Sequence, residues 1–364
     1  MQMKILIVTD NEYYGGVAAA STTLQKYLTS PGVEVERHPI HTVHRGVFGR
    51  LYSILKTAFY LRSCVADKIV LMHFEAIFAG ILCQLFRPNL GFVNCIHTDL
   101  HGYYCGVSSV KKIFLRFVIK KLKNKTVIFV SKEAESKARI KFGFTNARVI
   151  YNFVDLPQKR ATACDKQALK LGSVSRLHSG KNIDLLIRVF NSFWLVNTSV
   201  KLLIFGDGPE LINIKKYAAK FPCVDSVEFK GHVAETDEIY EQIDGLVSFS
   251  SIEGFPLVIL EALARNIPVL HSDCSCGPRE ILVSNSDPCW KTSSFEIGQG
   301  GMLVKIPERI KSYAPCLQQS EKVILKAFCT FCQNVDFFKI NCVVDMEKFG
   351  PDIIRKKWID LLLK

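Results

Sequence analysis

The stretch Ser248-Phe-Ser-Ser-Ile-Glu253-Gly-Phe-Pro-Leu-Val-Ile-Leu-Glu261-Ala-Leu263 passes from the end of an apolar strand, through a turn, into an apolar helix. Gly245–Phe249 is short and shows no two-residue alternation, the pattern of a parallel strand buried on both faces. Pro256 fits the first turn of the helix that follows, because its fixed φ suits that position and its missing N–H is no loss there. The free amides of Leu257 and Val258 would then face a bound anion, with the helix dipole assisting. Glu253 precedes the helix and Glu261 lies two turns in, beside Leu260, Ala262 and Leu263. A fully solvated Glu261 fits those apolar neighbours poorly, so the two carboxylates read as parts of a site.

The same strand–turn–helix unit recurs along the chain. Lys4–Thr9, Lys68–His73, Leu90–Ile96, Thr126–Val130 and Arg148–Tyr151 form one series of expected strands. Leu169–Val174, Val200–Phe205, Val227–Phe229, Gly245–Phe249 and Pro268–His271 form a second. Two βαβ series in sequence predict two doubly wound α/β domains, and 364 residues suit two domains of about 150 each. The polar, aperiodic run from Pro157 to Gln167 marks the boundary, giving domains 1–160 and 161–345.

Hydrophobic residues make up 48% and charged residues 22%, which excludes disorder, collagen and coiled coil. The net charge of +13 implies an anionic partner: nucleic acid, acidic lipid or a phosphorylated small molecule. No apolar run approaches the roughly 18 residues of a spanning helix. Met1–Val8 leads directly into a strand and does not resemble a signal peptide. Thirteen cysteines, odd in number and scattered, suit reduced thiols in a cytoplasmic protein. Cys329-Thr-Phe-Cys332 has no second pair at zinc-finger spacing and reads as two thiols on a helix.

The charge is concentrated. Val107–Arg148 carries 12 Lys or Arg against 2 Glu. Within it Val110–Lys123 reads as a helix whose stripe is Ile113, Phe114, Phe117, Val118 and Leu122, flanked by Lys111, Lys112, Lys120, Lys121 and Lys123. Such a helix lies on an anionic membrane or packs on a core with a solvated lysine face, and the pattern alone does not choose. Arg45–Arg62 repeats it, with Phe48, Leu51, Tyr52, Leu55 and Phe59 among Arg45, Arg50, Lys56 and Arg62. Two such helices in one half favour a membrane surface, with Lys111, Lys112, Lys120 and Lys121 as its contacts.

Other turns supply candidate ligand contacts. Gly15 and Gly16 follow the first strand, where paired glycines let backbone approach a ligand, although a tight turn needs them too and the pattern is not GxGxxG. Arg176 and Lys181 lie just past the strand Leu169–Val174, where two cations could neutralise a diphosphate or simply be solvated. Gly206-Asp-Gly-Pro209 reads mainly as a structural turn with room for a backbone contact to a nucleotide. In Asn94-Cys-Ile-His97-Thr-Asp99-Leu-His101 no further ligand cluster supports a metal, and His97, nearest the strand end, reads as the functional histidine.

Together these residues resemble the retaining glycosyltransferases of family four, which have the two-Rossmann GT-B fold. Glu253-Gly-Phe-Pro-Leu-Val-Ile-Leu-Glu261 looks like their Glu-x7-Glu signature. Ser175-Arg176 with Gly180-Lys181-Asn182, Gly206-Asp-Gly-Pro209, Phe229-Lys-Gly231-His232, Val130-Ser131, Ile150–Asp155, the Gly15-Gly16 loop and His97 stand in the family's order. Residues 346–364 look like its C-terminal helix crossing back to the first domain, and Ser272–Leu282 resembles bacterial members that build lipopolysaccharide or capsule. The resemblance implies that Arg176 and Lys181 hold the donor diphosphate and Glu261 the ribose hydroxyls. It implies that Glu253, with the Gly254 and Phe255 amides, holds the donor sugar, that His97 contacts that sugar, and that Gly206 and His232 belong to the donor side. It implies transfer of a hexose or N-acetylhexosamine, from a UDP-sugar by preference and GDP-mannose otherwise, to a lipid-linked or lipopolysaccharide or capsule acceptor. The expected site is peripheral, on the inner face of the cytoplasmic membrane, with no metal, no cofactor and no nucleic acid. Two departures are Phe153 where the family has glycine after Tyr-Asn, and Asn266 where it has glycine before the Pro268 strand. Val283–Gly300 matches poorly. A sugar-nucleotide epimerase on the same fold, or a basic nucleic-acid-binding protein, are the alternatives.

Overall fold

The computed structural model describes residues 2–10, 16–40, 47–154, 168–283, 285–308, 310–340 and 346–363. The chain divides into two compact units, Met1–Asp155 with Glu347–Lys364, and Leu156–Met346.

In the first unit the order is β1 (Met3–Thr9), α1 (Gly16–Leu28), β2 (Val33–Pro39), α2 (Val47–Ser63), β3 (Lys68–Met72), α3 (Phe74–Cys83), β4 (Val93–Ile96), α4 (Leu100–Gly106), α5 (Ser109–Leu122), β5 (Val127–Phe129), α6 (Lys132–Phe142) and β6 (Ala147–Val149). The six strands pair in the order β2-β1-β3-β4-β5-β6, all in parallel. The central runs are dense in Val, Ile and Leu because both faces are covered: Ile5 to Val8 and Ile69 to Met72 are buried. β2 is one edge, and of its side chains only Val35 is buried.

The second unit runs β7 (Leu169–Val174), α7 (Ile183–Trp194), β8 (Val200–Phe205), α8 (Leu211–Ala218), β9 (Val227–Gly231), α9 (Thr236–Tyr240), β10 (Gly245–Ser248), α10 (Leu257–Ala264), β11 (Val269–Ser272), α11 (Pro278–Leu282), β12 (Phe295–Gly298), β13 (Gly301–Val304), α12 (Lys322–Gln333) and α13 (Val335–Ile340). Its sheet is β12-β13-β11-β10-β7-β8-β9, parallel except for the hairpin of β12 with β13. β10 is central, between β7 and β11, so the turn after it opens between the carboxyl ends of three strands. The chain closes with α14 (Pro351–Leu362), which returns to the first unit. There the Arg355 guanidinium donates to the Tyr27 carbonyl (2.8 Å) and the Ser30 hydroxyl (3.0 Å).

One expectation is corrected by the packing of α5. Its buried face is Leu115, Val118, Ile119 and Leu122, whereas Ile113 and Phe117 of the expected stripe are 68% and 44% exposed. Spacings of three and four select the inner face from Leu115 onward, which leaves Ile113 and Phe117 among the lysines. On α2 likewise, Ile54, Ala58 and Leu61 are buried while Phe48, Leu51, Tyr52, Leu55 and Phe59 stay exposed.

Candidate active site

At the carboxyl end of β7 the chain turns through Arg176, Leu177 and His178 into Gly180-Lys181-Asn182. Gly180 donates its amide to His178 Nδ1 (3.2 Å), which folds the loop back on itself. Asn182 takes a left-handed conformation, φ 50°, that asparagine tolerates better than most residues. Its side-chain amide donates to the Phe249 carbonyl (2.6 Å) and the Ser251 hydroxyl (2.8 Å), and the Ser251 amide donates to the Gly180 carbonyl (2.9 Å). The cationic loop is thereby fastened to the segment that carries Glu253.

The result is direct contact between two of the expected site residues. Lys181 Nζ donates to Glu253 Oε1 at 2.5 Å, with the two side chains only 19% and 13% exposed. Burial pushes the Glu253 carboxyl up, but the Lys181 charge, His271 nearby, and hydrogen bonds from Lys181 and Ser250 outweigh it, so it sits below the usual carboxylate range. Among the described residues Arg176 is exposed and in no ion pair. His271, at the end of β11, donates from Nδ1 to the Ser272 carbonyl (2.7 Å), and its buried Nε2 has no partner among the described residues. Burial holds this imidazole below its ordinary range.

Helix α10 begins at Leu257, with Pro256 as its N-cap, one position earlier than the first turn expected. Ile259 is the first residue there whose amide bonds a helix carbonyl, that of Pro256 (3.1 Å), leaving the Leu257 and Val258 amides at the helix end. Phe255 is buried, and Gly254 is partly covered. Gly277 packs against this start: with φ 104°, a Cβ there would lie 2.6 Å from Pro256 Cδ. Glu261 is half-buried, and Tyr240 donates its hydroxyl to Glu261 Oε2 (3.0 Å) and to the Val258 carbonyl (3.1 Å). Gly206, with φ 121°, lies so close to the Ser175 carbonyl that a Cβ would stand 1.9 Å from it, so only glycine fits. His232 is exposed beyond β9.

Trp290 lies in the segment that matches the family poorly. It covers a buried cluster in which Arg279 binds Asp273 (2.6 Å) and Glu296 (2.8 Å), the guanidinium lying 4.5 Å from the indole. Thr292 donates its amide to Asp273 (2.7 Å). Trp290, Thr292 and Glu296 of the poorly matched segment therefore clamp the loop that follows β11.

In the first unit, His97 follows β4. Its Nε2 lies 3.2 Å from the Cys95 thiol and its buried Nδ1 has no partner among the described residues. Burial, and to a lesser extent His73, pushes its pKa down to about 3. Asp99 caps α4 through the Gly102 amide (3.0 Å) and pairs with Lys137 (3.1 Å), and no group of three metal-ligating side chains occurs among the described residues. A pair missed in the sequence stands just past the carboxyl ends of the adjacent strands β1 and β3. His73 Nδ1 meets Asp10 Oδ2 at 2.6 Å, Asp10 Oδ1 accepts from the Ala76 amide (3.0 Å), and His73 has φ 79°, a strained value for histidine. Gly16 opens α1, while Gly15 lies outside the described residues. Of the lysines expected at a membrane, Lys111, Lys120 and Lys121 are exposed; Lys112 is half-buried, its ammonium 5.9 Å from the Tyr104 ring centre. The eleven cysteines described are all free thiols.

Residues 156–293 match the family model described as glycosyl transferases group 1. The chain is 21% identical, over 99% of both proteins, to the amylovoran biosynthesis glycosyltransferase AmsD of Erwinia amylovora. It is 27% identical to the phosphatidylinositol N-acetylglucosaminyltransferase gpi3 subunit of Schizosaccharomyces pombe, over 71% of this chain and 58% of that protein. Among solved structures it superposes on Anabaena HepE in complex with UDP-glucose with a TM-score of 0.75, 18% identity and 99% coverage of both chains. Sucrose-phosphate synthase from Thermosynechococcus elongatus gives 0.76 at 16% identity, covering 99% of this chain and 98% of that one.

Proposed function

We propose, from the premise that this chain belongs to the group 1 glycosyl transferases and has the GT-B fold, that it takes a nucleotide-diphosphate sugar, a UDP-sugar by preference, and transfers the hexose or N-acetylhexosamine with retention to a lipid-linked or lipopolysaccharide or capsule acceptor. The observation that carries the reading is the largely buried contact of Lys181, on the loop after β7 that also carries Arg176, with Glu253 on the turn after β10. A bound diphosphate competes with Glu253 for Lys181. Once Lys181 turns to phosphate, the Glu253 carboxylate is available to accept hydrogen bonds from the donor sugar's hydroxyls, with the Gly254 and Phe255 amides beside it. Glu261, oriented by Tyr240, accepts from the ribose hydroxyls, and the Leu257 and Val258 amides face phosphate.

In the transfer the bond from the anomeric carbon to the diphosphate oxygen breaks, and the acceptor oxygen bonds that carbon from the same face. The acceptor's proton passes to the departing phosphate oxygen. Arg176 and Lys181 stabilise the charge that develops there, the term expected to dominate such a step. These two cations and the helix amides supply what a metal ion otherwise would, so the reaction needs neither metal nor cofactor. His97, kept neutral by burial, can hydrogen-bond a sugar hydroxyl without carrying charge. That AmsD is a glycosyltransferase of amylovoran biosynthesis supports the acceptor class, and the UDP-glucose bound to HepE supports the donor class. The exposed apolar residues of α2 and α5 support a peripheral position on the inner face of the cytoplasmic membrane; no described helix is long and apolar enough to cross one.

Thermal-shift titration with UDP, UDP-sugars and GDP-mannose, with and without EDTA, tests this. A ligand at 100 times its Kd stabilises by about 2.7 kcal/mol, and the UDP compounds should do so unaltered by EDTA. A shift with GDP-mannose alone would reverse the base preference, and no shift with any nucleotide would remove the reading.

A further inference from the structure

The first unit has a cavity of about 720 Å³ between the end of α3, the turn that follows it, and the end of α5. Its volume lies within the range of small-molecule sites, roughly 300–1,000 Å³. Leu85, Leu90, Phe92 and Phe117 line it, and Lys121 and Lys125 are the charged residues among its walls; no carboxylate faces it. Both lysines are exposed, and neither forms an ion pair among the described residues. The Lys121 ammonium lies 5.9 Å from the Phe117 ring centre, so its alkyl stem follows an apolar wall and its charge reaches the mouth.

Position separates this cavity from the reacting end. Phe92 precedes β4 and Thr126, another lining residue, precedes β5, whereas His97 follows β4. At about 3.3 Å per residue, the strand between Phe92 and His97 spans roughly 16 Å. The opening instead continues into the exposed apolar surface. Leu85 is 73% exposed, and its neighbour Phe86 stacks 6.2 Å from Phe59 of α2.

Apolar walls with two unneutralised cations at the mouth select a ligand that is apolar along its length and anionic at one end. Free phosphate would leave the walls unused, and an uncharged lipid would leave the lysines unused. We propose that the groove takes an acyl chain of an anionic membrane phospholipid, whose phosphate sits between Lys121 and Lys125. This rests on the reading that α2 and α5 lie on a membrane. It makes the contact specific, adding one captured lipid to a general surface attraction.

The test uses the full chain and monomeric dihexanoyl-phosphatidylglycerol, below its micelle concentration, with dihexanoyl-phosphatidylcholine and inorganic phosphate as controls. Calorimetric titration should give saturable binding of one phosphatidylglycerol per chain, with at least tenfold weaker binding of both controls. K121Q/K125Q should weaken it at least tenfold. Gly91→Trp should abolish it by filling the groove, whose wall Gly91 forms; a Cβ there meets nothing within 4 Å, and thermal unfolding checks that the variant folds. The parent should also sediment with phosphatidylglycerol vesicles. Sedimentation without saturable binding of the monomeric lipid, or monomer binding that Gly91→Trp leaves intact, would overturn the groove alone. Failure to sediment would overturn the membrane reading beneath it, whatever the monomer does.

Discussion

Helix α7 of the second unit buries every residue from Ile183 to Phe190 and ends with Phe193 packed 5.4 Å from Phe328 of α12. Helix α2 of the first unit, also on the face of a parallel sheet, buries Ile54, Ala58 and Leu61 but leaves Phe48 89% and Phe59 60% exposed. The sheets are alike in design, so the sheet does not explain the difference. Phe48, Leu51, Leu55 and Phe59 recur at helical spacing on the outer side, with Arg50, Lys56 and Arg62 among them. A helix with two apolar stripes has one for its own core and one for something else. Contiguous exposed apolar surface of this kind marks an interaction site, and its cationic border suits an anionic one.

The sharpest way to break this comparison is to truncate one phenylalanine on each helix. Phe190→Ala should cost about 3–5 kcal/mol, as removal of a fully buried aromatic ring does. Phe59→Ala should stay within about 0.5 kcal/mol. Urea unfolding measures both, and a Phe59→Ala penalty as large as that of Phe190→Ala would make the outer stripe part of a core. Next, replacing Lys111, Lys112, Lys120 and Lys121 by Gln should release the protein from anionic vesicles. At about 1 kcal/mol per exposed cation, the three exposed lysines account for about 3 kcal/mol, on the order of 10²-fold in affinity. Thermal stability should stay near that of the parent. A variant that still sediments with anionic vesicles would show α5 to be a packed element with a wet face.

The second unit should respond in catalysis. Lys181→Ala is expected to lower kcat by about 10²-fold, as loss of one donor to a developing charge does. Glu253→Ala should depress kcat more than KM, and Glu261→Ala should chiefly raise the donor KM, because ribose contacts persist from ground state to transition state. Steady-state kinetics with varied donor separates them, and reversed effects would exchange the two roles.

Much of this was legible because it is local. β7 and β8 have the bounds their apolar runs indicate, and the turn after β10 carries its own glutamates, proline and helix start. β2 was missed because Val33-Glu-Val-Glu-Arg is an edge strand with little to bury, and β12 for the same reason, since none of its four residues is buried. Asp10 with His73, Lys181 with Glu253, and Arg279 beneath Trp290 are pairings between segments that strand register or a folded-back loop brings together. Sequence showed Lys181 and Glu253 as separate candidates and gave no sign that they touch. On α5 the periodicity showed an amphipathic helix, but with apolar residues on more than one side it did not fix which of them turn inward.

The smallest expected effect uses one histidine from each unit. The His97 pKa is about 3 in the folded protein, set by burial first and the His73 charge second, against about 6.5 for an unstructured chain. Between those values the unfolded chain holds a proton that the folded chain does not, so stability falls as pH drops, by at most about 1.4 kcal/mol per pH unit. His271 is also lowered by burial and works with the same sign in the second unit. Glu253, below its ordinary range, likewise contributes stability that is lost on acidification, but at lower pH, as its folded-state value is approached. Urea unfolding at pH about 7 and about 5 should therefore show a loss of up to about 2 kcal/mol from His97. His97→Gln should remove that share, leaving the loss due to His271. If the units unfold in separate steps, His97→Gln should flatten the acid dependence of one step and His271→Gln that of the other. An acid slope that neither variant changes would mean that both imidazoles meet enough water to charge in place, and the difference between the units would then rest on their helices alone.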